Sequence, residues 1–485
     1  MKKNNTFKFL FIITVTLLTN TLIFGQLQNS NWYFGNQAGL NFNDGTQPPM
    51  VLTNGILGTD GSSATVSDDA GNLLFYTNGL DVWNKNHQIM TNGSGLFGNA
   101  DIIQSVVIVP DPSDTNKYYI ITNEGDAMGA FGLFYSVVDM STDGGLGSVV
   151  STQKNVLLLD VSFKNLTAVL NPNDNTYWVV AFGYGNDSTR NDTFYTYKVD
   201  NTGINLVSQT TFAFTLSEST ENTIGGQMKI SPDGQSLALI NNTVGAGRNG
   251  EFAEAQSLFI FNFDSVTGVV SQLNDTIFLN DTLYLYGLEF SPDSNLLYTT
   301  TTNRFIDGTE TRLIYQIEYR NMSSVPFLLD QGPDAAYGLQ SALDGKIYVV
   351  NSTGSLNVIN TPNVVGAGSN YVENAINLGM NNAVKELPQL VPDIIINEVT
   401  KKAKKPILMG NPFKEELKFK FKFIQTYTIE FYNSSGVLVK NIVYDDMRNR
   451  KPFAVDTSDL ATDTYYLIVR DEQSQTWYET ALRID

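Results

Sequence analysis

SSATVSDDAGNLLFYTNGLDVWNKNHQIM, residues 62–90, reads as short apolar segments parted by tight turns. Ala64-Thr65-Val66 is a β-prone run. Ser67 to Asn72 is a turn, because Asp68 and Asp69 can bond local backbone amides and Gly71 tolerates positive φ. Leu73 to Thr77 forms a second strand, ended by the hairpin signal Asn78-Gly79. Asp81-Val82-Trp83 supplies a third strand and Gln88-Ile89-Met90 a fourth. Four short antiparallel strands in about 30 residues make one propeller blade. A single blade cannot bury both its faces, so neighbours must stack on it.

Approximate copies begin near Ser62, Ser105, Leu166, Gly226, Gly287 and Gly338. Their first turns match best: SDDAGN from Ser67, PDPSDTN from Pro110, NPNDN from Asn171, SPDGQ from Ser231, SPDSN from Ser291 and ALDGK from Ala342. An apolar pair follows each, from Leu73-Leu74 to Ile347-Tyr348. Pro fixes φ in several of these turns, and Gly, Asn or Asp takes the left-handed position. Residues 31–42, NWYFGNQAGLNF, carry two strands with Met50-Val51-Leu52 as a third, yet lack an inner strand. Leu387-Pro388-Gln389-Leu390-Val391 reads as an inner strand without outer ones. We therefore expect an all-β chain: a seven-bladed β-propeller over 26–393, its last blade closed by the N-terminal strands.

Composition agrees with many short strands. Gly (39) and Tyr plus Phe (23 and 29) outnumber Lys plus Arg (30). The absence of cysteine excludes disulfides, thiol catalysis and lipid attachment through an N-terminal Cys. A chain without disulfides must be held by its core alone, which a closed propeller can manage. Residues 26–400 hold 13 Lys/Arg and 37 Asp/Glu, a net charge of 13 − 37 = −24, whereas residues 401–485 hold 14 and 12, a net of +2. So acidic a body repels phosphate backbones, which argues against nucleic acid as a partner.

The ends read differently from the middle. Lys2, Lys3 and Lys8 precede the apolar run Phe9 to Phe24, and Gly25 stands before Gln26. This is the pattern of a signal peptide over 1–25 cleaved before Gln26. The apolar run is short against the roughly 20 residues needed to span a bilayer, so no membrane span is expected in the mature form. Residues 394–405 leave the repeat pattern, and Lys401-Lys402-Ala403-Lys404-Lys405 before Pro406 marks an exposed linker. In 406–485, Leu417-Lys418-Phe419-Lys420-Phe421-Lys422-Phe423 alternates strictly, with the Phe on one face of a strand and the Lys on the other. With Tyr427 to Tyr432, Val437 to Val439, the face of Tyr465, Leu467 and Val469, and Tyr478 to Ile484, about seven strands form a small β-sandwich.

Asn411-Pro412-Phe413, the hairpin Phe431 to Val439 around Gly436, and Leu460-Ala461-Thr462-Asp463-Thr464-Tyr465-Tyr466-Leu467-Ile468-Val469 resemble the C-terminal sorting domain of the type IX secretion system of Bacteroidetes-type bacteria. The family usually has Gly where this chain has Asp463, a residue that also tolerates the left-handed region. The resemblance implies Sec export, passage across the outer membrane by the type IX machinery, and removal of the domain near the linker. The protein would then be secreted or held on the outer cell surface. The motif residues so implied are Asn411, Pro412, Gly436, Leu460, Tyr465, Leu467 and Val469. The body is similar to secreted propellers of the same bacteria that open with Trp-Tyr-Phe-Gly, here Trp32 to Gly35. Its Ser231-Pro232-Asp233-Gly234 turn is like those of WD-repeat and TolB-type propellers. Propellers host many functions, so this resemblance implies fold and not activity.

No catalytic, cofactor or metal set is legible. His87, the single histidine, would need a nucleophile and an orienting acid, and no Gly-x-Ser-x-Gly elbow supplies one. One His and no Cys also exclude ordinary zinc sites. Ser67-x-Asp69-x-Gly71 resembles part of a sialidase Asp-box but occurs once. Asp111 to Asp114 and Asn171 to Asp174 offer oxygen ligands without calcium-loop spacing. Gly245 to Gly250 lacks the Lys of a phosphate loop. This loop, with Gly183 to Asp192 and Thr301 to Glu310, follows the second strand of its repeat, and together the three mark one face for binding. The expected function is a non-catalytic propeller that binds an extracellular glycan or protein. The alternative is a propeller hydrolase or lyase with paired carboxylates in the central channel; a structural part of the envelope is a third class.

Overall fold

The computed structural model describes residues 27–43, 48–125, 132–160, 162–171, 174–185, 191–216, 227–246, 252–278, 284–302, 304–306, 309–321, 325–332, 337–351, 353–392, 407–420, 426–445, 452–471 and 476–484. The signal-peptide stretch and the linker lie outside them. The chain divides into two units after Ile395, and among the described residues the regular structure beyond four short 3-10 turns is all strand.

Each of the six repeats folds as an antiparallel sheet, with innermost strands Ala64–Ser67, Val106–Pro110, Ser162–Asn171, Met228–Ile230, Tyr284–Phe290 and Leu339–Ser341. Consecutive innermost strands touch one another in chain order, the arrangement of propeller blades around an axis. The repeated turns share one chemistry. Ser231 donates its hydroxyl to Asp233 (2.6 Å) and accepts the Ser236 amide (3.0 Å). Ser291 does the same with Asp293 (2.6 Å) and Leu296 (2.9 Å). The Asp233 carboxylate also receives Arg320 from the fifth blade at 2.5 Å, so this turn ties two blades together.

Alternation along each strand feeds two interfaces. Phe75 and Ile120 share the core between the first and second blades, while Tyr119 and Ile121 face the third. The N-terminal sheet, Asn31–Phe34, Ala38–Asn41 and Met50–Leu52, obeys the same rule. Trp32, Phe34 and Leu40 pack on Tyr348, Leu356 and Val358 of the sixth blade. Tyr33 points the other way and stacks on Tyr76 of the first blade, ring centroids 4.6 Å apart. The N-terminal strands thus fill the gap between the sixth blade and the first, as expected of a closing blade. Gly35 permits the seal. Its φ is +56°, and a Cβ there would meet the Asn382 carbonyl oxygen at 2.3 Å. Next to it, Asn36 and Asn382 exchange backbone hydrogen bonds of 2.8 and 3.2 Å.

One expectation is corrected. Residues 387–391 are not a strand of that sheet; Gln389 makes a single parallel bridge to Ala64 of the first blade. Pro388 has no N–H to give a ladder, and the segment spends its hydrogen bonds on the ring axis, as described below.

In the second unit, strands Ile407–Met409, Glu416–Lys420 and Phe453–Asp456 form a three-stranded sheet. Leu438–Asp445, Thr426–Tyr432, Thr464–Asp471 and Thr476–Leu482 form, in that spatial order, a four-stranded one. Leu417 and Phe419 are buried with Ile429, Phe431 and Leu467, and Lys420 is exposed. Phe421 to Phe423 lie outside the described residues. The hairpin strand expected over 437–439 runs from Leu438 to Asp445 instead.

Candidate functional site: an axial pocket and a sorting tail

A pocket of about 170 Å³ opens on the propeller axis, lined by innermost strands of four consecutive blades and by Gln389, Leu390 and Pro392. Alternation aims alternate residues of each strand at the axis: Thr167 and Val169 from the third blade, Lys229 from the fourth, Glu289 from the fifth and Gln340 from the sixth. Lys229 donates to Glu289 at 3.1 Å and to the Gln340 side-chain oxygen at 2.8 Å. Glu289 also accepts the amides of Phe290 and Ser341, both at 3.1 Å. Both oxygens of its carboxylate are therefore engaged, at a side-chain exposure of 8%. Ile230, Leu343, Leu390, Pro232, Pro292 and Pro392 give the pocket apolar walls.

Deeper on the axis, buried amides and one acid link the blades. Gln104, from the approach to the second blade, brackets Met228 of the fourth: its side chain accepts the Met228 amide at 2.6 Å and donates to the Met228 carbonyl at 2.8 Å. Gln227 donates to Glu386 at 2.6 Å and accepts the Leu288 amide at 2.7 Å. The neighbouring Lys385 carbonyl takes the Gly338 amide. Gln389 bonds the Ser63 carbonyl through its amide and the Leu166 carbonyl through its side chain, and the Pro392 carbonyl accepts the Leu170 amide. Residues 385–392 thus bond to the first, third, fourth and sixth repeats. Burial pushes the Glu386 carboxyl up to about 7, against the opposing pull of Gln227, Lys229, Tyr286 and Lys385.

The residues singled out by sequence fall elsewhere. His87 sits at φ +60° in the turn between the third and fourth strands of the first blade. Its ring nitrogens meet the Tyr76 hydroxyl (3.1 Å) and the Asn54 amide (2.7 Å), and burial lowers its pKa. It clamps the N-terminal segment to the first blade, with a phenol and an amide as partners. Asp111 closes a turn onto Ser113, and Asp174 pairs with Lys198 at 2.8 Å. Asp69 accepts from Gln28. Arg312 stacks on Tyr337, and Arg320 is held by Asp233. Of the three candidate loops, residues 186–190, 247–250, 303 and 307–308 lie outside the described residues. Ala246 pairs with Phe252 beside the second of them, at the opposite end of its strand from the Pro232 turn. The axial pocket therefore opens on the other face of the propeller.

The pocket residues were missed, although a register signal existed. Lys229, Glu289 and Gln340 each stand two residues before the turns that begin at Ser231, Ser291 and Ala342. They are equivalent positions of three consecutive repeats, each polar between mostly apolar neighbours.

In the second unit the motif residues are fold determinants. Leu460, Tyr465, Leu467 and Val469 are buried together. Asn411 clamps the last strand, donating to the Thr480 carbonyl (2.9 Å) and accepting the Leu482 amide (2.8 Å); it precedes the cis Pro412. Gly436 takes φ +77° in the hairpin turn. Asp463 does not adopt the left-handed region; its carboxylate instead receives the Ser434 amide and hydroxyl at 3.1 and 2.8 Å. These bonds hold its pKa below the usual carboxylate value.

Residues 410–480 match the family of secretion system C-terminal sorting domains. The tail marks the chain for export by the type IX secretion machinery, to the medium or the cell surface. No helix among the described residues is long and apolar enough to cross a membrane. No curated protein matches the chain. Among solved structures, the chain is similar to the extracellular domain of a one-component system from B. thetaiotaomicron, with 13% identity, 93% of this chain and 55% of that one covered, and a TM-score of 0.38. It spans about half the length of that protein. It is also similar to PorZ, a surface component of the type-IX secretion system of Porphyromonas gingivalis (9% identity, 93% and 74% covered, TM-score 0.31). A third likeness is to the β-propeller domain of the Trilobed protease from Pyrococcus furiosus (9%, 78% and 96%, 0.28).

Proposed function

We propose that the mature protein is a non-catalytic propeller that captures an extracellular ligand in its axial pocket. Residues 1–25 and 406–485 serve as removable addresses, and removal of the second falls near the linker at 394–405. Asn411, Pro412, Gly436, Leu460, Tyr465, Leu467 and Val469 build the shape that the export machinery reads. The observation that carries the binding reading is the pocket's chemistry. Its carboxylate, Glu289, is spent on Lys229 and two backbone amides. Glu386, the other axial acid among the described residues, is buried at 3% exposure and does not line the pocket. Glycoside hydrolysis ordinarily uses two carboxyl groups facing the substrate, whereas an apolar pocket with a few placed polar groups suits binding.

Replacing Thr167 with Trp fills the pocket from one wall. On paired peptide and glycan arrays, the wild-type propeller is expected to give signals that Thr167→Trp loses while its far-UV circular dichroism stays unchanged. Array signals that survive the substitution would place binding elsewhere and overturn the pocket's role.

A further inference from the structure

We infer that the axial pocket takes one aliphatic side chain of an extended peptide and holds the adjacent peptide carbonyl on Thr167 and Lys229. The inference rests on the binding reading above and names the ligand class.

Size is the first argument. A volume of about 170 Å³ falls below the roughly 300–1,000 Å³ of pockets that enclose a whole small-molecule ligand. It admits a single side chain rather than a saccharide chain. The walls are the second argument. They are Val, Ile, Leu, Ala and Pro, and among the described residues no aromatic ring lines the pocket. A sugar ring is ordinarily held by laying its C–H face on a flat aromatic ring. A branched aliphatic side chain packs well against branched aliphatic walls.

The polar groups are the third argument. Thr167 lines the pocket at 7% exposure, and among the described residues its hydroxyl has no hydrogen-bond partner. Lys229 points two N–H bonds at Glu289 and Gln340 and retains a third. Both groups can donate, so the ligand supplies an acceptor. Glu289 cancels the charge of Lys229, and the body around them is strongly acidic, so a carboxylate is disfavoured. A peptide carbonyl is a neutral acceptor that stands next to an aliphatic side chain by covalent geometry.

Methyl-resolved NMR on the mature chain, with Ile, Leu and Val methyls labelled, tests this. The probes are acetyl-Gly-Leu-Gly-amide, acetyl-Gly-Asp-Gly-amide and the disaccharide of N-acetylglucosamine. The leucyl peptide is expected to shift the methyls of Val169, Ile230, Leu343 and Leu390 saturably, and the other two probes are not. Thr167→Val, which keeps the shape and removes the hydroxyl, should weaken that binding about fivefold, the worth of one hydrogen bond. If the disaccharide shifts the same four methyls and the leucyl peptide does not, the peptide class is overturned and the pocket stands as a binding site. If no probe shifts them, both the inference and the reading beneath it fail.

Discussion

A chain lacking residues 31–42 is expected to lose its cooperative unfolding transition. The deletion removes Trp32, Phe34 and Leu40, each with no measurable exposure, from the core shared with the sixth blade. It also removes Tyr33 from the stack on Tyr76 of the first blade. Truncating one buried Trp or Phe costs about 3–5 kcal/mol, and whole domains are stable by only roughly 5–15 kcal/mol. The deletion would also expose the facing sheets of two blades at once, opening the ring on both sides. Urea denaturation followed by circular dichroism reads the effect. The expected trace is a broad, non-cooperative loss of signal, and an unchanged midpoint would refute closure by the N-terminal strands.

The second large effect concerns Glu386. Its carboxyl titrates at about 7 in the folded protein against an ordinary value of 4.5. Between those values the folded state holds a proton that the unfolded chain has released. Stability therefore falls as pH rises through this window, and the whole penalty is in place above pH 7. The difference corresponds to about 3 kcal/mol. Glu386→Gln mimics the protonated acid, keeps an acceptor for Gln227 and carries no charge. It is expected to raise stability by up to about 3 kcal/mol at pH 8 and to change it little at pH 4.5. Paired urea titrations at the two pH values measure this. Equal destabilisation at both would mean that the carboxylate itself holds the axis together.

The turns were legible in the sequence because their chemistry is local. Ser-Pro-Asp at 231–233 and 291–293 forms the same internal bonds wherever it occurs. Strand alternation was legible for the same reason, as at Trp32, Tyr33 and Phe34. The role of 387–391 was not. Four of its five residues are apolar or Pro, which reads as a strand, whereas its partners Ser63 and Leu166 lie hundreds of residues away. Pro388 was the available warning. Asp463 shows a related failure. Its backbone tolerance suggested a left-handed turn, yet it serves through its carboxylate on Ser434. The pocket needed register: a Lys, a Glu and a Gln in one column of the repeat stand out only when the inner strands are aligned on their turns.

Mass spectrometry of the culture fluid and of the washed cell surface, locating both ends of the mature chain, tests most directly that a removable tail delivers a binding propeller. The expected product starts at Gln26 and ends between residues 394 and 410, leaving every pocket residue in place. A mature chain that still ends at Asp485 would contradict this and make the second unit a working part of the exported protein.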